Sequence, residues 1–154
     1  MKFYIIVSGL IIVIDFVTKF FVQRHLAEIG TFPLIEGVFH FTYARNPGAA
    51  FGMLGGMRWW LVGLTVLIII GIIYTIATRK FDDARLKYGL AFILGGAVGN
   101  LIDRVFLGYV VDFLDFRAIN FAIFNVADIF ITVGAGILIF HTIFTAKNEA
   151  KKDG

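Results

Sequence analysis

The chain has 154 residues, enough for one domain, yet only 16% are charged against 59% hydrophobic, and its mean hydropathy is +0.88. A soluble domain carries about 25% charged residues, so composition excludes a water-soluble enzyme and makes lipid the solvent. The absence of cysteine excludes a disulfide framework, a thiolate nucleophile and a Cys-ligated metal, and a net charge of +3 scattered over loops argues against a nucleic-acid partner.

Residues 3–22 form the first apolar run, about 20 residues and so about 30 Å as a helix, the thickness of the hydrocarbon core. Met1 and Lys2 ahead of an apolar run resemble a signal peptide. However, no small-x-small cleavage site follows, and Asp15 and Lys19 interrupt the run, so a retained helix is expected. Asp15 and Lys19 stand four apart with the acid first, the favourable order for a pair on one helix face. They either neutralise each other or mark a polar interior, the usual setting of an ionisable group within a membrane.

Residues 23–58 are the longest polar stretch. Within it residues 38–45 alternate, with Phe39, Phe41 and Tyr43 on one side and His40, Thr42 and Ala44 on the other, which reads as a strand. Asn46, Pro47 and Gly48 end it in a turn. This stretch is expected to form a small extracytoplasmic sheet or cap at the membrane surface, part of the same single domain (1–154). His25 and His40 lack metal-ligand spacing, and neither metal nor cofactor is expected.

Trp59 and Trp60 open the second run, to about residue 77, where an interfacial aromatic belt would stand. The third covers about 88–107 and the fourth about 123–145. The expected fold class is therefore an all-α membrane protein with four transmembrane helices, the sheet lying between helices 1 and 2. With the N-terminus inside, the cytoplasmic side carries eight basic residues (Lys2, Arg79, Lys80, Arg85, Lys87, Lys147, Lys151 and Lys152). The outer side carries four (Arg24, Arg45, Arg58 and Arg117). The positive-inside rule then places both termini in the cytoplasm.

Polar residues converge near the outer boundary. The third helix reads GGAVGNLIDR over 95–104. Its small residues permit close helix approach, whereas Asn100, Asp103 and Arg104 share faces at spacings of three and four and are costly in lipid if unpaired. Arg104 is expected to pair with a carboxylate and to hold a carbonyl. Asp112 follows the third helix by about five residues. Asp128 lies about a turn and a half into the fourth, with Asn125 three residues before it. Two carboxylates in a low-dielectric site cannot both ionise cheaply, so one keeps its proton. That state suits peptide hydrolysis: the charged acid takes a proton from water, and the protonated one polarises the carbonyl and protonates the leaving amine. The bland alternative is that both acids are loop and cap residues pairing with Arg104 and Arg117.

Five motifs in this order, spanning nearly the whole chain, resemble the prolipoprotein signal peptidase (signal peptidase II) family: DFVTK over 15–19, RNPGAAFG over 45–52, GGAVGNLIDR over 95–104, GYVVDF over 108–113 and FNVAD over 124–128. Each is short; together they are specific. The resemblance implies an aspartic endopeptidase of the bacterial cell membrane that removes signal peptides from diacylglyceryl-modified prolipoproteins, cutting just before the lipidated cysteine. It implies Asp112 and Asp128 as the catalytic pair, with Asp15, Asn46, Asn100, Asp103, Arg104 and Asn125 supporting the site or touching substrate. It further implies lipoprotein precursors and membrane lipids as partners, globomycin-type peptides as inhibitors, and action as a monomer. Ile129 departs from the family, many of whose members carry a small polar residue there. The competing readings are a proton- or cation-coupled transporter subunit, motivated by acids within spans, and a non-enzymatic assembly factor.

Overall fold

The computed structural model describes residues 1–48, 53 and 55–150, with side chains as far as 145. The order is α1 (Lys2–Leu26), β1 (Thr31–Ile35), β2 (Phe39–Asn46), α2 (Arg58–Thr78), α3 (Ala84–Phe106), β3 (Val110–Phe116), a 3-10 turn (Arg117–Ile119) and α4 (Val126–Ala150). Residues 49–52 of the RNPGAAFG motif lie outside the described residues. All four helices are long and apolar enough to cross a bilayer.

Alpha-helix 3 is the axis of the bundle and packs against each of the other three, while α1 also touches α4. The reason is its small residues. A Cβ on Gly95 would meet the Ile11 side chain at 2.8 Å, and one on Gly89 would meet Leu138 at 2.7 Å. One on Gly96 would run into the Ala127 carbonyl. The glycine-rich run therefore brings α1 and α4 to backbone distance on either side of α3. On α1 the buried residues Tyr4, Ser8, Ile11, Asp15, Lys19 and Val22 recur every three or four positions, one stripe on a 3.6-residue helix. That stripe turns from apolar to charged toward the sheet end of the bundle.

The sheet departs from expectation in one respect. It has three antiparallel strands in the order β1-β2-β3, and the third is contributed by the segment between α3 and α4 rather than by the one between α1 and α2. Four apolar helices with a small sheet are as expected; what differs is the segment that supplies the third strand. Val110–Phe116, which follows α3 and carries Asp112, pairs with β2: Asn46 lies opposite Val110 and Ala44 opposite Asp112. The strand is legible in hindsight, because Val110, Val111, Phe113 and Leu114 are β-formers. Burial of both faces hides the alternation that would announce it. Helix ends shift as well. Alpha-helix 1 continues to Leu26, α3 starts at Ala84 behind an Asp83 cap that accepts from the Arg85 N–H at 2.8 Å, and α4 starts at Val126.

Candidate active site

Asp112 stands on β3, 3% exposed, and Asp128 is the third residue of α4 rather than a turn and a half within it. Asn125 decides how they meet. It precedes the helix as its cap: its Oδ1 accepts from the Asp128 N–H at 2.9 Å, and Asp128 Oδ2 accepts from the Asn125 N–H at 3.2 Å. This is the reciprocal arrangement of a capping box. With Oδ1 so engaged, the Asn125 amide must turn its Nδ2 inward, where it donates to Asp112 Oδ1 at 2.7 Å and to Asn100 Oδ1 at 3.1 Å. Asn100 Nδ2 in turn donates to Asp128 Oδ1 at 2.7 Å. Asn46 completes the set. Its Oδ1 accepts from the Gly48 N–H at 3.0 Å, and its Nδ2 donates to Asp112 Oδ2 at 2.9 Å. All four carboxylate oxygens thus receive an N–H.

Beneath this layer lies a charged one. Lys19 Nζ reaches Asp15 Oδ2 at 2.7 Å, Asp103 Oδ2 at 3.1 Å and Asn100 Oδ1 at 3.0 Å. The two readings of the Asp15–Lys19 pair therefore merge: the charges neutralise each other and also sit under the polar cluster. Asp15 Oδ1 accepts from the Ala127 N–H at 2.9 Å, a second cap on the α4 terminus supplied by α1. Gly99 leaves room for it, since a Cβ there would lie 2.7 Å from Asp15 Oδ2. Asp103 Oδ2 accepts from the Val111 N–H at 3.0 Å and so aligns the start of β3. Lys19 is the residue that sequence reasoning left out of the site. The DFVTK motif contained it, but only the fold brings three acceptors to one ammonium.

Arg104 departs from expectation. Among the described residues it forms no ion pair; its guanidinium donates to the Gly48 carbonyl at 3.0 Å and to Asn100 O at 3.4 Å. The carbonyl half of the expectation holds and the carboxylate half does not. Arg117 pairs with Asp115 at 2.8 Å, not with Asp112 or Asp128, so the bland reading of those two acids loses its partners. Burial pushes the Asp115 carboxyl up, but the Thr42 hydroxyl and the Arg117 guanidinium outweigh it and hold it below the usual range. Among the described residues Asp112 pairs with no such cation. Burial first, and the Asp128 carboxylate next, push it up to about 6 against the Asn46 and Asn125 donors. Asp115 is therefore a committed charge, whereas Asp112 can hold or release a proton near neutral pH.

Both acids line a cavity of about 240 Å³ together with Asn46, Asn100, Arg104 and Thr132, walled by Val110, Phe124 and Ile131. The structure thus brings all eight sequence-derived residues into one connected network around an open cavity. Among the described residues no cluster of His or acidic side chains could hold a metal ion, and the single serine, Ser8, is bonded to Ala91 O at 3.0 Å.

The family model for signal peptidase (SPase) II matches residues 7–144. The chain belongs to the signal peptidase II family. It is 43% identical over 146 residues to a lipoprotein signal peptidase of Brevibacillus brevis, covering 95% of this chain and 98% of the relative. It is 46% identical over 140 residues to one of Caldanaerobacter subterraneus subsp. tengcongensis, covering 91% and 95%. Its fold is similar to that of a bacterial membrane enzyme solved by the in meso method at 2.3 Å resolution, with a TM-score of 0.86, 29% identity and coverage of 96% of this chain and 92% of the other. A second such enzyme, at 1.9 Å, gives 0.82, 31%, 92% and 93%. Family membership lends no support to the transporter reading.

Proposed function

We propose that this member of the signal peptidase II family is an intramembrane aspartic endopeptidase. It removes signal peptides from diacylglyceryl-modified prolipoproteins by cutting just before the lipidated cysteine. The observation that carries the reading is the pair itself: two carboxylates in one cavity, joined through Asn125 and Asn100, neither of them in an ion pair among the described residues. Such a pair shares one proton. The charged member takes a proton from water, and the resulting hydroxide attacks the scissile carbonyl. The protonated member donates to the carbonyl oxygen and then passes its proton to the leaving amine. Asn46, Asn100 and Asn125 orient the carboxylates, Asp15 and Asp103 hold the backbone that carries them, and Arg104 holds the loop carbonyl at Gly48.

The basic-residue count supports both termini on the cytoplasmic side of the bacterial cell membrane, with the sheet and the acids near the outer face. The precursor reaches the cavity sideways from the bilayer. A globomycin-type inhibitor occupies the same cavity, and one copy of the chain suffices. With purified protein and a lipidated precursor peptide, Asp112→Asn or Asp128→Asn is expected to lower kcat/KM by about 100- to 10,000-fold while helical content is unchanged. Normal processing by either variant would overturn the reading.

A further inference from the structure

Between the 3-10 turn and α4 the chain doubles back along β3. Asn120, in the left-handed region at φ 49°, makes the turn. Phe121 then donates its N–H to Phe116 O at 3.3 Å. Phe124 donates to Leu114 O at 3.2 Å, and its carbonyl accepts from Phe113 and Leu114 at 2.9 and 2.8 Å, an antiparallel bridge. The two residues between are different. Neither Ala122 nor Ile123 has a backbone hydrogen-bond partner among the described residues. In an extended segment the N–H and C=O of neighbouring residues point to opposite edges. Phe124 turns both its main-chain groups to β3, whereas the N–H and C=O of Ile123, the residue before it, take no partner there. Two cavities meet there: the one that holds both acids, and a second of about 260 Å³ lined by Ala44, Arg45 and Pro47. Asn46, Asp112, Ala122 and Ile123 border both.

Resting on the proposed function, we infer that the main chain of Ile123 is a docking edge for the cleavage segment of the precursor, which adds to it as an extended strand. A helical peptide hides its carbonyls in its own hydrogen bonds, so the segment to be cut must first unwind. Unwound backbone at a membrane boundary needs new partners. Ile123 supplies one donor and one acceptor to a single substrate residue, the mode by which peptides join a free sheet edge, and it does so beside Asp112. The strand then lies across both cavities, with residues on either side of the cut in different ones.

The test is a set of lipidated precursor peptides, each N-methylated at one residue before the cut, the scissile amide excepted, and assayed for kcat/KM with the wild-type chain. A second arm replaces Ile123 by its α-hydroxy acid analogue, which exchanges the N–H for an ester oxygen and keeps the side chain. Methylation is expected to cost about tenfold at one residue, the loss of one such bond, with its immediate neighbours changed less than about twofold. The ester is expected to cost about as much with the unmodified peptide. A flat or uniform methylation profile, or full activity of the ester variant, overturns the edge and leaves the protease reading standing. Failure to cut even the unmodified lipidated peptide removes both.

Discussion

Asp112 and Asp115 are three residues apart on one strand and have opposite fates. Asp115 accepts from Thr42 at 2.6 Å and from Arg117 at 2.8 Å, and its charge is spent on tying the turn to the sheet. Among the described residues Asp112 receives neutral amide N–H groups and no cation, and its pKa is raised to about 6. Since the folded value lies above the ordinary carboxyl value, the folded chain retains this proton between the two. The associated stability is present at low pH and is lost as pH rises through about 6. In the proposed mechanism this is the proton that the pair needs. The alkaline limb of a kcat/KM profile, which reports the free enzyme, is therefore expected near pH 6. Asn46→Ala, which withdraws a donor from the charged form, should move that limb to higher pH; an unmoved limb would show that Asp112 is not the group titrating. Lys19 poses the other residue-scale case. Removing its ammonium leaves Asp15 and Asp103 buried without a cation. Lys19→Met should cost about 3–5 kcal/mol of unfolding free energy in the membrane, measured by denaturation from bicelles, and should lower activity through a displaced Asn100.

At the scale of elements, the site depends on how close α4 lies to α3. Gly96 faces the Ala127 carbonyl, one residue before Asp128, so a methyl group there pushes the capped end of α4 away from Asn100. Gly96→Ala is expected to destabilise by about 1–3 kcal/mol through overpacking and to reduce cleavage with it. Gly71→Ala on α2, where nothing lies within 4 Å, should leave both unchanged. Equal effects at the two positions would mean that helix flexibility, not close approach, is what the glycines provide. The glycine run was readable as a packing surface, because small residues at a helix contact have few other uses in lipid. Beta-strand 3 was not. Its motif stood out only as a pair of acids near an apolar run, since a strand buried on both faces shows no period-two signature.

For the whole molecule, the orientation proposed from the basic-residue count places the acids near the outer face. Because the chain has no cysteine, single cysteines can report it without background. A cysteine at Glu36, in the turn between β1 and β2, should react with a membrane-impermeant maleimide in intact cells. One at Lys80, between α2 and α3, should react only after permeabilisation. The reverse pattern would place the pair on the cytoplasmic face. Composition and hydropathy sufficed for four spans, because lipid imposes one length and one polarity on any helix that crosses it. Five short motifs sufficed for the family and for the residues that form the cluster. The sequence by itself thus specified the class of molecule and eight residues of the candidate site, but not Lys19. Only the tertiary structure decided the roles within it. Lys19 as a shared counter-ion, Asn125 as both helix cap and bridge, and Arg104 on a carbonyl rather than a carboxylate all depend on contacts between residues distant along the chain. Spacing within one helix or strand carries no information about those contacts.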